Sequence, residues 1–368
     1  MPDEARTFGM EGMFRQIGIY AHEGQKYEPV DRDQLMYYKE NQSGQLLEEG
    51  ITEDGAMSSW IASATAYSNS GMQMIPFYIF YSMFGFQRIG DLVWAAGDMQ
   101  ARGFLIGATS GRTTLNGEGL QHEDGHSQIM AGNVPNCVSY DPTFSHELMV
   151  IMQNGMERMF KNQENVFYYI TTMNENYSHP GLSKGQEKNI VKGMYLLQKG
   201  KKAEMRVQLL GSGSILREAI AAADLLSADF KVEADIWSCT SFNQLKRDGD
   251  DVSRWNMLHP DKKPKMSHVE KCLLDTDGPV VAATDYVKLF ADQIRAYVPR
   301  SYSVLGTDGF GRSDSRQALR KHFEVDRYYI AVASLNALME DGSVSFKTVN
   351  AAIKKYGIDP NKNNPLMS

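Results

Sequence analysis

Short runs of β-branched and aromatic residues alternate with longer segments of helical period, and no other feature restricts the fold as much. Runs at 75–81, 104–108, 134–139 and 166–171 are separated by helical-period stretches at 86–100 and 145–160. A chain that keeps repeating strand, helix, strand buries both kinds of apolar face by laying helices over a parallel sheet, which predicts an α/β fold. The stretch 77–81 is apolar almost throughout, as expected of a strand covered on both faces.

From 179 to 202 the composition turns to Gly, Lys, Gln and Ser, the signature of a connector. The alternation restarts at 205–210, 214–226, 231–237, 279–284 and 285–297, and helical stretches at 315–322, 327–339 and 345–356 close the chain. Two domains are therefore expected, 1–185 and 204–368, joined by a linker at 186–203. A length of 368 residues suits two cores of ordinary size.

The net charge of −7 and the scatter of Lys and Arg leave no basic stripe for a phosphate backbone, so no nucleic-acid partner is expected. Apolar runs such as 74–80 fall far short of the roughly 20 residues that cross a bilayer. No membrane partner and a cytoplasmic location are the expectation. Cys137, Cys239 and Cys272 are odd in number and widely spaced, which fits reduced thiols better than a disulfide framework.

Three motifs invite chemistry. His122-Glu123-Asp124-Gly125-His126 matches H-E-x-x-H, which holds zinc only when one continuous helix puts both histidines on one face. Gly125 inside the pattern and the glycines before it favour a loop, so no metal site is expected. Gly211-Ser212-Gly213 after a strand, with Glu233 and Asp235 further on, resembles a dinucleotide fingerprint, but position 216 is Leu where the third glycine belongs. A structural turn is the favoured reading. The stretch 103–125 carries six glycines with Arg112, Glu118 and His122 among them, and a long glycine-rich segment in an α/β domain is more often an active-site loop than a passive one.

Glu53 lies just ahead of a helical run at 56–67, where an acid commonly complements the helix dipole. Tyr81 and Phe84 follow the strand at 75–81, at the end where α/β folds place ligands.

Longer stretches carry a resemblance. Asp3-Glu4-Ala5-Arg6-Thr7-Phe8-Gly9-Met10-Glu11-Gly12, residues 78–91 and 111–127, Tyr168-Tyr169-Ile170-Thr171-Thr172, Arg254-Trp255-Asn256-Met257-Leu258-His259-Pro260 and residues 306–314 closely resemble the bacterial, homodimeric type of pyruvate dehydrogenase. The likeness runs over essentially the whole chain. It implies two transketolase-like domains, each a mostly parallel sheet with helices on both faces. The first would bind the aminopyrimidine ring of thiamin diphosphate, and the second would serve mainly in assembly.

The resemblance also implies roles. Glu53 matches the glutamate that bonds a nitrogen of the aminopyrimidine and stabilises the imino tautomer, which then takes the proton from the thiazolium C2. Phe84 matches the aromatic packed on that ring, and Tyr81 the tyrosine facing substrate. His122, Glu118 and Glu4 match positions around the covalent adduct, and residues 23–39 match a mobile loop over the site. Pyruvate is the implied substrate, and the implied partners are a second copy of the chain and the lipoyl-bearing dihydrolipoyl acetyltransferase of the multienzyme complex.

The family holds Mg²⁺ and the diphosphate with a G-D-G motif and an asparagine pair, and this sequence has no G-D-G. The chain is therefore expected to be a fragment without the diphosphate half, inactive alone. A β-like subunit of a split 2-oxoacid dehydrogenase, another thiamin enzyme such as a transketolase, or a non-catalytic assembly module are the alternatives, with a zinc hydrolase a distant further one.

Overall fold

The computed structural model describes residues 11–30 and 39–368. Glu4 and positions 31–38 of the expected mobile loop lie outside them.

Four of the apolar runs become β1 (Phe77–Phe80), β2 (Phe104–Gly107), β3 (Cys137–Tyr140) and β4 (Phe167–Thr171), paired in parallel in the order β1-β2-β4-β3. Both central strands, β2 and β4, bury every residue, as runs without polar alternation should. β1 corrects the expectation of a strand covered on both faces. Among the described residues it is an edge strand, and although Phe77 stacks on Phe104 with ring centroids 4.7 Å apart, it stays 47% exposed on a face that is only partly covered.

The second sheet consists of β5 (Tyr195–Gln198), β6 (Arg206–Gly211), β7 (Glu233–Ser238), β8 (Val280–Ala283) and β9 (Tyr302–Leu305) in the order β9-β8-β6-β7-β5. All its pairings are parallel except that of β5, which runs antiparallel to β7. Helix Glu187–Lys192 and β5 both lie inside the stretch read as a connector. Val207, Leu209, Val281 and Ala283 enter one apolar cluster, while Leu210, Val280 and Ala282 enter another. Alternate residues of a strand point to opposite faces, so both faces of this sheet are covered, and the α/β expectation holds.

Around the first sheet, α1 (Glu53–Ala64) packs on α2 (Ser82–Asp98), and α3 (Ser127–Asn133) follows the glycine-rich loop. α1 buries Met57, Trp60 and Ala64, a spacing that makes one apolar stripe, and Trp60 also donates its indole N–H to the Phe104 carbonyl at 3.1 Å. α2 starts one residue after β1, so Tyr81 sits at the carboxyl end of a parallel strand. The loop after β2 leaves from the same edge, where open α/β sheets gather their ligand sites.

The expected helix at 285–297 is only Lys288–Asp292 and a single turn at Arg295–Tyr297. Its opening residues are taken by contacts with the other sheet's loop: the Val287 N–H donates to the Gly125 carbonyl at 2.8 Å. No helix among the described residues is long and apolar enough to cross a membrane.

Candidate active site

Thr52 caps α1, its hydroxyl accepting from the Gly55 N–H at 3.3 Å, so the carboxylate of Glu53 is free of that task. It turns instead to Arg88, whose Nη1 donates to Glu53 Oε1 at 2.9 Å. The Glu53 side chain is 11% exposed. Beneath it the Tyr78 hydroxyl donates to the Glu53 carbonyl at 3.4 Å, and burial holds that phenol well above its ordinary range, with Glu53, Asp54 and Glu49 adding to the shift. Tyr78 is therefore a neutral donor that tethers the start of α1.

Arg88 also lies over an aromatic face. Its guanidinium carbon is 4.1 Å from the centroid of the Phe84 ring, one helical turn earlier on α2. Phe84 meets Tyr81 edge-on at 6.1 Å, and the His122 ring stands 4.9 Å from Tyr81 and 5.0 Å from Phe84. His122 ends a short 3₁₀ turn, Leu120–His122. Its Nδ1 is buried without a hydrogen-bond partner among the described residues, 3.7 Å from Glu118 Oε2. Glu53, Phe84, Tyr81, His122 and Glu118 thus form one continuous cluster at the carboxyl ends of β1 and β2. Glu4 alone of the expected site residues lies outside the described part.

The other two motifs resolve as structure. His126 stands at the N-cap of α3, a separate element from the turn that carries His122, so the continuous helix a zinc site requires is not formed. Its Nε2 is 2.9 Å from Gln87 Nε2. At Gly211-Ser212-Gly213, Ser212 donates to Asp141 Oδ2 at 2.9 Å, and a Cβ on Gly213 would stand 2.7 Å from that same oxygen. Asp235 pairs with Lys199 and Arg206, and Glu233 accepts from Ser227 at 2.7 Å and from the Lys201 N–H at 3.0 Å, so both acids are committed around their own strands.

Sequence reading passed over Arg88, although its i+4 spacing from Phe84 could have marked it. It also passed over Glu123, which is fully buried and pushed up to about 8, chiefly by burial and partly by Asp285. Arg312 offers its backbone N–H to Glu123 Oε2 at 2.6 Å, while Oε1 has no hydrogen-bond partner among the described residues.

Residues 1–180 match a family model described as the pyruvate dehydrogenase E1 component middle domain, and 193–326 match the transketolase-like C-terminal domain. Relatives named pyruvate dehydrogenase E1 component align along the whole chain, with 62% identity in Cupriavidus necator, 63% in Pseudomonas aeruginosa and 59% in Escherichia coli K12. The chain belongs to the pyruvate dehydrogenase E1 family. It spans 41%, 42% and 41% of the length of those three relatives, respectively.

Solved transketolases share the fold of this E1-family chain. A transketolase mutant from Pichia stipitis superposes with a TM-score of 0.62 at 16% identity, over 82% of this chain and 39% of its own. A split-gene transketolase, described as an inactive β4 tetramer, gives 0.57 at 14% identity over 91% of this chain and 97% of its own.

Proposed function

We propose that this chain forms the aminopyrimidine side of a thiamin-diphosphate site that carries out oxidative decarboxylation of pyruvate and passes the acetyl group to the lipoyl group of a dihydrolipoyl acetyltransferase. One observation carries the fit to the cofactor. Glu53 and Phe84 already hold a flat, N–H-bearing group between them, the Arg88 guanidinium, bonded to the carboxylate at 2.9 Å and stacked on the ring at 4.1 Å. An aminopyrimidine makes the same two demands, a carboxylate for a ring nitrogen and an apolar face for the ring.

Thiamin diphosphate, when bound, supplies the nucleophilic carbon and the electron sink. The residues of this chain do the rest. Glu53 holds and returns a proton at the ring nitrogen, general acid–base work of the kind a mostly buried carboxylate performs. Phe84 orients the ring. Tyr81 and His122, their rings 4.9 Å apart, face the substrate, and His122 donates to the developing oxyanion with the Glu118 carboxylate 3.7 Å from its ring.

The sequence has no G-D-G motif, so Mg²⁺ and the diphosphate are assigned to the remaining part of the longer enzyme. A dimer fits the exposed apolar residues Met72, Met74, Ile75, Phe77 and Trp94, which a partner surface would cover. The proposed boundaries are a ring-binding domain over 1–185 and an assembly domain over 204–368, in a cytoplasmic complex.

The deciding experiment restores the missing portion and measures carbon dioxide release from pyruvate and acetyl transfer to a lipoyl domain. Glu53→Gln keeps the shape but removes the proton, and should lower kcat by roughly 10²–10⁴-fold, the usual worth of a general acid–base group. Unchanged activity in that variant would leave the chain as an assembly module. The chain alone should bind thiamin diphosphate weakly and release no carbon dioxide, and robust turnover by it would overturn the division of labour.

A further inference from the structure

The loop that carries Glu118 and His122 belongs in sequence to the first sheet, yet from Arg112 onward its bonds run to the second. At Ser110 the chain is still tied to its own sheet, with the N–H donating to the Thr172 carbonyl at 2.9 Å. The Arg112 N–H then donates to the Asp285 carbonyl at 3.2 Å, and the Thr113 N–H to Asp285 Oδ1 at 3.0 Å. The hydroxyls of Thr113 and Thr114 each donate to Asp285, one to Oδ1 and the other to Oδ2, both at 2.7 Å. Asp285 is the residue that follows Thr284 at the carboxyl end of β8, and it is fully buried along with Arg112, Thr113 and Thr114.

A second set of bonds closes the far side of the loop. Arg112 donates through Nη1 to the Thr307 carbonyl at 2.9 Å and also reaches the Gly309 carbonyl. The Gly117 N–H donates to the Asp314 carbonyl at 3.2 Å, Arg312 N–H to Glu123 Oε2 at 2.6 Å, and Val287 N–H to the Gly125 carbonyl at 2.8 Å. The glycines of both strips allow this approach: a Cβ on Gly111 would stand 2.2 Å from Asp285 Oδ2, one on Gly125 2.4 Å from the Arg112 guanidinium, and one on Gly311 2.5 Å from the Leu120 carbonyl. Gly111 also has φ +90, which an L side chain rarely adopts.

We propose that Asp285, with Arg112 and Glu123, is a positioning residue: the loops of the second sheet, at 284–287 and 307–314, hold the segment 111–125 and thereby set where His122 and Glu118 stand against Tyr81 and Phe84. Among the described residues, neither Asp285 nor Arg112 bonds Glu53, Tyr81, Phe84, His122 or Glu118, so their effect reaches the site through the loop. The second sheet then does more than assembly, since it completes the geometry of a site whose reacting side chains all come from the first. The catalytic consequence rests on the function proposed above, whereas the strap itself does not.

The test uses an isosteric pair. Thr113→Val removes one hydroxyl from Asp285 at constant volume, and Thr113→Ser keeps it. In the 368-residue chain, hydrogen exchange should accelerate at least roughly tenfold across 111–125 in Thr113→Val and Asp285→Asn, including the amides of Arg112, Thr113 and Gly117 that donate across the interface, while β1 and β8 amides stay protected. Thr113→Ser should keep the wild-type rate, and should Asp285→Asn fail to fold, the Thr113 pair alone decides. Wild-type exchange in Thr113→Val would overturn the strap. In the restored longer enzyme, Thr113→Val should lower kcat by roughly 10–100-fold with little change in KM for pyruvate, because a displacement of about 1 Å at a catalytic group costs that much, and Thr113→Ser should restore it. Faster exchange with unchanged kcat would overturn the positioning role. Absence of turnover in the unmodified restored enzyme would overturn the proposed function instead, with the exchange result still deciding the strap.

Discussion

Arg88 bonds the carboxylate of Glu53 at 2.9 Å while its guanidinium covers the face of Phe84 at 4.1 Å, so one side chain occupies both surfaces that a cofactor ring would use. In the function proposed, the ring and the guanidinium would compete. An ion pair with its cation half-exposed is worth about 0–1 kcal/mol, and a cation over an aromatic face at an exposed site about 0.5–1 kcal/mol. Arg88→Ala should therefore tighten thiamin diphosphate binding to the restored enzyme by roughly 2–30-fold, read by calorimetric titration. Weaker binding in that variant would mean that Arg88 helps to hold the ring.

Two glycines of α2 should respond in opposite directions to the same change. A Cβ on Gly85 would lie 2.0 Å from the ring of Phe80, which is fully buried and has nowhere to go, whereas Gly90 has open space around it. Gly85→Ala should cost roughly 1–3 kcal/mol and push Phe84 off its position, and Gly90→Ala should be neutral or stabilising by up to about 1 kcal/mol. Urea unfolding of the two variants checks both signs, and equal effects would show that packing against Phe80 does not fix the helix.

The strands most legible in the sequence, the half-exposed edge strand β1 apart, were those whose burial left little choice of residue type. β2 and β4 are apolar because both faces are covered, and their observed limits fall close to the expected runs. β5 and β9 escaped because they are four-residue edge strands, half-covered and flanked by Gly, Lys, Pro or Ser, so they carry almost no periodic signal. Helix Phe242–Leu258 escaped for a related reason: Phe242, Leu245 and Gly249 give it one narrow buried stripe in an otherwise charged surface. At the site, resemblance pointed to Glu53, Tyr81, Phe84, Glu118 and His122, and the structure gathers them. Asp285 could not have been read from spacing, because its partners lie 172 and 171 positions away and only the fold brings them together.

Arg320 is nearly buried between Glu175 and Glu218, its Nη1 donating to Glu218 Oε1 at 3.4 Å and to Glu175 Oε1 at 3.4 Å while its Nη2 pairs with Glu175 Oε2. Burial alone would raise both carboxyls, yet the guanidinium partners hold them below the ordinary range. Arg320→Met should destabilise the chain, by no more than the roughly 3–5 kcal/mol that follows when a buried charge loses its partner, because Arg217 still serves Glu175 and Arg327 still serves Glu218. The contribution should disappear in acid, as pH falls through the lowered folded values and the carboxylates protonate. Denaturant midpoints at neutral and acidic pH would measure it, and a variant as stable as the parent at neutral pH would contradict it.

Glu123 runs the opposite way. Its carboxyl is pushed from 4.5 to about 8 by burial, against the pull of the Arg312 N–H and of the Arg112 and Arg312 charges. Between those values the folded chain keeps a proton that the unfolded chain has released. Stability therefore falls as pH rises through this window, by at most about 1.4 kcal/mol per pH unit, and levels off above it. Asp141, pushed from 3.8 to about 7, adds a similar fall that ends earlier. Glu123→Gln should remove most of the slope above roughly pH 8, where Asp141 is already largely ionised, while leaving the slope between roughly pH 4 and 7 partly in place. Unfolding free energies measured across that range separate the two groups. An unchanged slope above pH 8 in Glu123→Gln would mean that the Glu123 carboxyl ionises in the fold as it does in water, and that the loop pays no penalty for burying its charge.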